Sequence, residues 1–124
     1  MAVGIVLFAH GARDPEWAAP FRKLRERIAA RRPDATVELA FLEFMEPALE
    51  PTVNRLAADG VGRITVVPLF MAQGGHLKHD LPLLLARART AHPGIALTLA
   101  PPVGDIESIL DAIVDWVSAL ERIA

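Results

Sequence analysis

The chain has 124 residues, 52% of them hydrophobic and 23% charged, enough to bury one compact core and stay in solution. A net charge of −2 and a pI near 6.1 argue against a general nucleic-acid binder, which carries a basic surplus. With no cysteine, disulfides, thiolate metal sites and cysteine nucleophiles are excluded, and a cytoplasmic protein is expected.

The N-terminus reads MAVGIVLFAHG, and its first charge is Arg13. The apolar run is too short for a bilayer span and lacks the positive start of a signal peptide. Val3 to Ala9 is therefore read as a buried strand. No later run reaches the roughly 18 apolar residues of a span, so no membrane partner is expected. From Arg13 to Ala30, Trp17, Phe21, Leu24 and Ile28 recur at helical spacing. Asp14-Pro15 supplies the cap and the first helical position.

Thr36 to Phe41 alternates into a second strand that continues through Leu42. Glu46-Pro47 is expected to open a second helix that ends near Asp59-Gly60. Arg63 to Leu69 is a third buried strand, with Pro68 ending its regular pairing. Gly74-Gly75 precede a third helix from His76 to Ala91, stopped by His92-Pro93-Gly94. Ile95 to Ala100 is a fourth strand, and Asp105 to Ile123 a closing amphipathic helix.

The pattern is strand then helix, four times. Strands apolar on both faces imply a parallel sheet with helices on both sides. The expected fold is α/β: a single three-layer domain over residues 1–124, flavodoxin-like, with a four-stranded parallel sheet in order 2-1-3-4. Both sheet edges need cover. The closing helix, carrying Ile106, Ile109, Leu110, Ile113, Val117 and Leu120, can cover one; a homodimer is the other solution.

Order 2-1-3-4 sends the helices after strands 1 and 3 to opposite faces. The crevice between those strand ends is the switch point where open α/β sheets bind ligands. His10 follows strand 1 and His76 follows strand 3, so the two should face one crevice. Glu43, after strand 2, reaches the same rim, with Glu46 as a second candidate. Two imidazoles and a carboxylate suit a divalent transition metal, and imidazole also accepts protons near neutral pH. Gly74 and Gly75 let the chain turn tightly and let a ligand approach the backbone. Arg13, Lys78 and His79 sit on the predicted rim, and the helix N-terminus adds anion-binding N–H groups. His76 and His79, three apart, are a weaker chelating pair. His92 reads as a helix-end residue, Trp17 and Trp116 as core or interface anchors, and Met45 and Met71 as apolar walls.

Three segments together, VLFAHGARDP, AFLEFMEP and VPLFMAQGGHLKHDLP, carry a resemblance that runs over essentially the whole chain. The sequence resembles the short class II chelatases of tetrapyrrole synthesis, the sirohydrochlorin cobaltochelatase and ferrochelatase family. The resemblance implies a chelatase-like fold and ATP-independent insertion of Co²⁺ or Fe²⁺ into sirohydrochlorin, for cobalamin or siroheme. Ni²⁺ is a further possible substrate, and no tightly bound cofactor is implied. The family's two active-site histidines map onto His10 and His76, as metal ligands and proton acceptors, and its acidic residue onto Glu43. Arg13, Gly74, Gly75 and Lys78 are the expected partners of the macrocycle and its acid groups. Ala12 stands where relatives carry serine or threonine, so a hydroxyl contact there is lost or made by other groups. A flat macrocycle needs two walls. Longer relatives contain two such domains, so this chain is expected to form a homodimer with facing clefts.

Other readings use the same sheet. A non-catalytic carrier of metal or tetrapyrrole would use the same histidines. A histidine phosphatase needs Arg-His-Gly after strand 1, where this chain has Ala9-His10-Gly11. A receiver domain needs an acidic cluster after strand 1 and an aspartate after strand 3, and a flavin module needs a hydroxyl-rich loop; neither is present.

Overall fold

The computed structural model describes residues 2–121. Its elements in chain order are β1 (Val3–Ala9), a 3-10 turn (Pro15–Ala18), α1 (Ala19–Arg31), β2 (Ala35–Phe41), α2 (Leu49–Ala58), β3 (Arg63–Pro68), α3 (Gly75–Ala91), β4 (Ala96–Leu99), a second 3-10 turn (Val103–Asp105) and α4 (Glu107–Ser118). The strands form one sheet, β2-β1-β3-β4, with every pair parallel. This is the expected order. With that order, right-handed crossovers place α1 on one face and α2 and α3 on the other.

β1 lies at the centre because it is apolar in both directions. Val6 and Phe8 point into a core with Ile64 and Val66 of β3, Val53 and Leu56 of α2, and Leu81 and Leu85 of α3. Leu7 and Ala9 point the other way, into a core with Val37, Leu39 and Phe41 of β2. Phe21 and Ile28 of α1 close that second core, and Trp17 stacks on Phe21 at a 4.6 Å centroid distance. The α1 segment begins as its sequence predicts. Pro15 takes the first helical position, and the Asp14 carboxylate accepts the Glu16 N–H at 2.9 Å. Pro68 ends β3 as expected, although the Leu69 N–H still reaches the Phe8 carbonyl at 2.8 Å.

Three expectations need correction. The second helix starts at Leu49, because Glu46-Pro47 lies in a loop whose Pro47 carbonyl accepts the Phe41 N–H at the outer edge of β2. The fourth strand is shorter than expected, Ala96–Leu99. The closing helix runs only from Glu107 to Ser118, Asp105 belongs to the 3-10 turn before it, and Ile123 lies outside the described residues. It covers no sheet edge. None of its side chains is buried, and within the chain it packs on the preceding turn. Among the described residues, no helix is long and apolar enough to cross a membrane.

Candidate functional site

The ladder between β1 and β2 continues past both strands. The Leu42 N–H reaches the Ala9 carbonyl at 2.9 Å, and the Glu43 N–H reaches the His10 carbonyl at 3.1 Å. This sets Glu43 beside His10. Gly11 tightens the fit: its φ is +95°, and a Cβ there would stand 1.9 Å from the Glu43 carbonyl oxygen. Only glycine fits a left-handed backbone pressed on another chain segment. The result is a side-chain pair, His10 Nε2 to Glu43 Oε1, at 3.0 Å.

The two side chains are 53% and 48% exposed. A pair so wet stabilises the fold by no more than about 1 kcal/mol, so stability does not account for a loop built this tightly. When Nε2 carries the proton it donates to Oε1, and Nδ1 keeps a lone pair for a metal or a proton. The ring is steadied from below. Buried Phe70, just past β3, meets the imidazole edge to face at 6.2 Å and meets Phe8 in the same way at 6.0 Å.

His76, the second residue of α3, faces the same opening. His10, Glu43, Gly74, Gly75, His76 and Asp80 line one cavity of about 310 Å³ at the carboxyl ends of the sheet, with Leu42, Ala72 and Leu77 as its apolar walls. The switch point therefore brings together the two histidines and the carboxylate named from sequence. Gly74 caps α3 with an ordinary φ of −68°, and a Cβ on Gly74 or Gly75 would meet nothing within 4 Å. The tight turn expected of this pair is thus not what requires glycine; the open space lies on the cavity side. The first-turn N–H groups of α3 lack a side-chain cap and face the same opening, where they suit an anion.

Other candidates fall outside the cavity. Lys78 and His79 are exposed on α3 and do not line it. Arg13 lies over the Phe44 ring, 4.9 Å from its centroid. Glu46 turns towards Arg22 and Arg25 of α1, in a separate depression. His92 is a helix-end residue, as expected, bonded to Asn54 Oδ1 at 2.6 Å. Met45 joins the core under α1, and Met71 is exposed. Among the described residues, no three His, Asp or Glu side chains stand close enough together to hold a metal ion. The chain thus offers a pair, His10–Glu43, and a third group across the gap.

Three residues in or beside the site were not singled out from sequence. Asp80 follows His76 by one helical turn, and that spacing puts it on the same face. Phe70 is an apolar residue beyond a strand that proline has already ended. Phe44 combines a left-handed φ of 65° with 57% exposure, a strained conformation for a bulky residue. Nothing in its type announces that strain.

Residues 4–120 match the sequence profile of the CbiX family. The chain belongs to the CbiX family. It is 34% identical over 122 residues to the sirohydrochlorin cobaltochelatase of Saccharolobus solfataricus, with 94% of each chain covered. Its fold matches the crystal structure of a CbiX protein from Marinobacter aquaeolei VT8, with a TM-score of 0.82, 39% identity and 94% of each chain covered. It also matches the sirohydrochlorin chelatase SirB of Bacillus subtilis subspecies spizizenii, solved in complex with cobalt, with a TM-score of 0.81 and 28% identity. That match covers 97% of this chain and 51% of the SirB chain, so this CbiX-family chain spans about half the length of SirB.

Proposed function

We propose that the protein is a sirohydrochlorin metal chelatase, a lyase that inserts Co²⁺ or Fe²⁺ into the macrocycle without ATP, in cobalamin or siroheme synthesis in the cytoplasm. The observation that carries this reading is the His10–Glu43 pair facing His76 across one open cavity at the switch point. The CbiX family membership supports it.

Metallation exchanges one divalent ion for two pyrrole protons. The ion enters hydrated, and Nδ1 of His10 and the ring of His76 take the place of part of its water. Few protein ligands suit this task, because an ion bound by a full set would not pass to the macrocycle. Imidazole binds cobalt, iron and nickel alike, so Ni²⁺ is a third substrate to compare. As the ion moves to the pyrrole nitrogens, the two protons pass to the imidazoles, and Glu43 holds the resulting imidazolium of His10 through the 3.0 Å contact. Sirohydrochlorin carries many carboxylates. The N-terminus of α3, reached over Gly74 and Gly75, takes one of them, and Arg13 and Lys78 at the outer rim meet others. Asp80 lies where a positive hydrated ion gains from a second carboxylate.

The cavity is open and apolar on one wall, and a flat macrocycle needs a second. The reading therefore includes a homodimer in which two copies supply the two walls, as one longer chain would.

The test is anaerobic metal insertion into sirohydrochlorin, followed by absorbance, with Co²⁺, Fe²⁺ and Ni²⁺ in parallel against the uncatalysed rate. Multiple turnovers with at least one metal are expected. Stoichiometric binding of metal or macrocycle with no rate enhancement would replace the chelatase with a carrier.

A further inference from the structure

In the loop after β2, the residue type and the backbone disagree. Leu42 packs against the core under α2 and α3, and Met45 packs against the core under α1. Glu43 and Phe44 must carry the chain between these two anchors. Phe44 does so with a φ of 65°, a left-handed backbone that glycine and asparagine adopt readily and a bulky residue resists. The ring contributes little to the fold in return, because it is 57% exposed and joins neither core. A single exposed apolar residue is ordinary. One held in a strained backbone is not, and such strain gathers at ligand sites.

The loop is clamped on both sides of the strain. The Glu43 N–H donates to the His10 carbonyl at 3.1 Å, and the Phe41 N–H donates to the Pro47 carbonyl at 2.9 Å. Gly11 is pressed on the Glu43 carbonyl. The exposed Arg13 lies over the Phe44 ring, 4.9 Å from its centroid, an attraction that is weak at an exposed site. Ring and guanidinium thus stand together at the rim, next in the chain to Glu43, whose carboxylate meets His10 at 3.0 Å.

The cavity that holds His10, Glu43 and His76 measures about 310 Å³. Ligand pockets run from roughly 300 to 1,000 Å³, so this one is small. A ligand the size of a tetrapyrrole must centre over the cavity and extend across its rim. Phe44 does not line the cavity itself, which is the place such an overhang requires.

We propose that Phe44 is a substrate-binding residue: its ring lies against the flat conjugated face of the macrocycle where that face overhangs the cavity, and Arg13, stacked on the ring, pairs with a peripheral carboxylate. This rests on the chelatase reading above and adds to it a residue that recognises the macrocycle and takes no part in metal transfer.

The test is calorimetric titration of the full, metal-free chain with sirohydrochlorin, beside thermal unfolding of the same variants. Phe44→Gly removes the ring and suits the left-handed backbone. It should weaken macrocycle binding about tenfold, while its thermal midpoint stays level with the native value or rises above it. Phe44→Tyr keeps the ring and should bind within about threefold of native. In metal insertion, Phe44→Gly should raise KM for the macrocycle about tenfold and leave kcat and KM for Co²⁺ within about threefold. A midpoint lower by more than about 4 °C would overturn the proposal, because the ring would then belong to the fold. Native affinity in Phe44→Gly, or a native chain that binds no sirohydrochlorin, would overturn it too. Binding that depends on Phe44 in a chain that inserts no metal would support this subsite and remove the chelatase reading alone.

Discussion

The two faces of the sheet are finished to different degrees. On the α2–α3 face, Phe8, Leu56, Ile64, Leu81 and Leu85 are all within 2% of full burial, and two helices cover β1, β3 and β4. On the other face, α1 covers β2 and part of β1; Val67 of β3 and Leu69 just past it pack only half-buried at the margin of that core, and Ala96 and Thr98 of β4 are exposed. The comparison teaches that four strands and four helices do not make four layers of cover within one chain. Three helices close this fold, and the fourth is left with its apolar arc in water.

The largest stability effect should therefore come from the finished face. Phe8→Ala removes a side chain 1% exposed that also supports Phe70, and should cost about 3–5 kcal/mol in urea unfolding. Val67→Ala, half-buried on the less covered face, should cost under about 1.5 kcal/mol in the dilute chain. Equal losses at the two positions would mean that the second face is covered in solution.

Gly11→Ala comes next. It forces a Cβ against the Glu43 carbonyl at a φ of +95°, and should cost about 1–3 kcal/mol. Metal insertion should fall with it, because the loop that holds His10 beside Glu43 must shift. Native activity in a stable Gly11→Ala protein would separate that pairing from the chemistry. Asp14→Ala removes the cap of the α1 segment, where the carboxylate accepts the Glu16 N–H. A loss of about 1 kcal/mol is expected in the same unfolding assay.

The smallest effect belongs to Asp34. The Arg32 guanidinium hydrogen-bonds its carboxylate, at 2.8 and 2.9 Å, and holds its pKa below the usual value. A depressed carboxylate contributes stability above its unfolded pKa, near 3.9, and loses it as pH falls through the lower folded value. Asp34→Asn should therefore lower the thermal midpoint slightly at neutral pH, and the difference should vanish in acid below the folded value. Both groups are exposed, so added salt should shrink the effect as well.

Much of this molecule was legible in its sequence. Branched apolar runs placed β1, β2 and β3 almost to the residue, and Asp14-Pro15 placed the start of the first helical segment. Handedness left a few strand orders, of which the usual one for a small sheet was expected, and that order brings His10, Glu43 and His76 to one cavity. What stayed hidden depends on tertiary contact or backbone strain. Gly11 reads as an ordinary loop glycine until Glu43 is folded against it. Phe44 shows no sign of its left-handed backbone, and Phe70 reads as part of a strand end. The periodicity of α4 gave its apolar arc correctly but not what covers it, because amphipathicity does not name a partner.

The central claim is that His10 and His76 carry the metal-transfer chemistry. The most direct measurement is the steady-state rate of metal insertion by His10→Ala and His76→Ala beside the native chain, with folding checked by circular dichroism. Each variant should lose about a hundredfold or more in kcat while remaining folded. Native turnover in either folded variant would contradict the account and remove that histidine from the reaction.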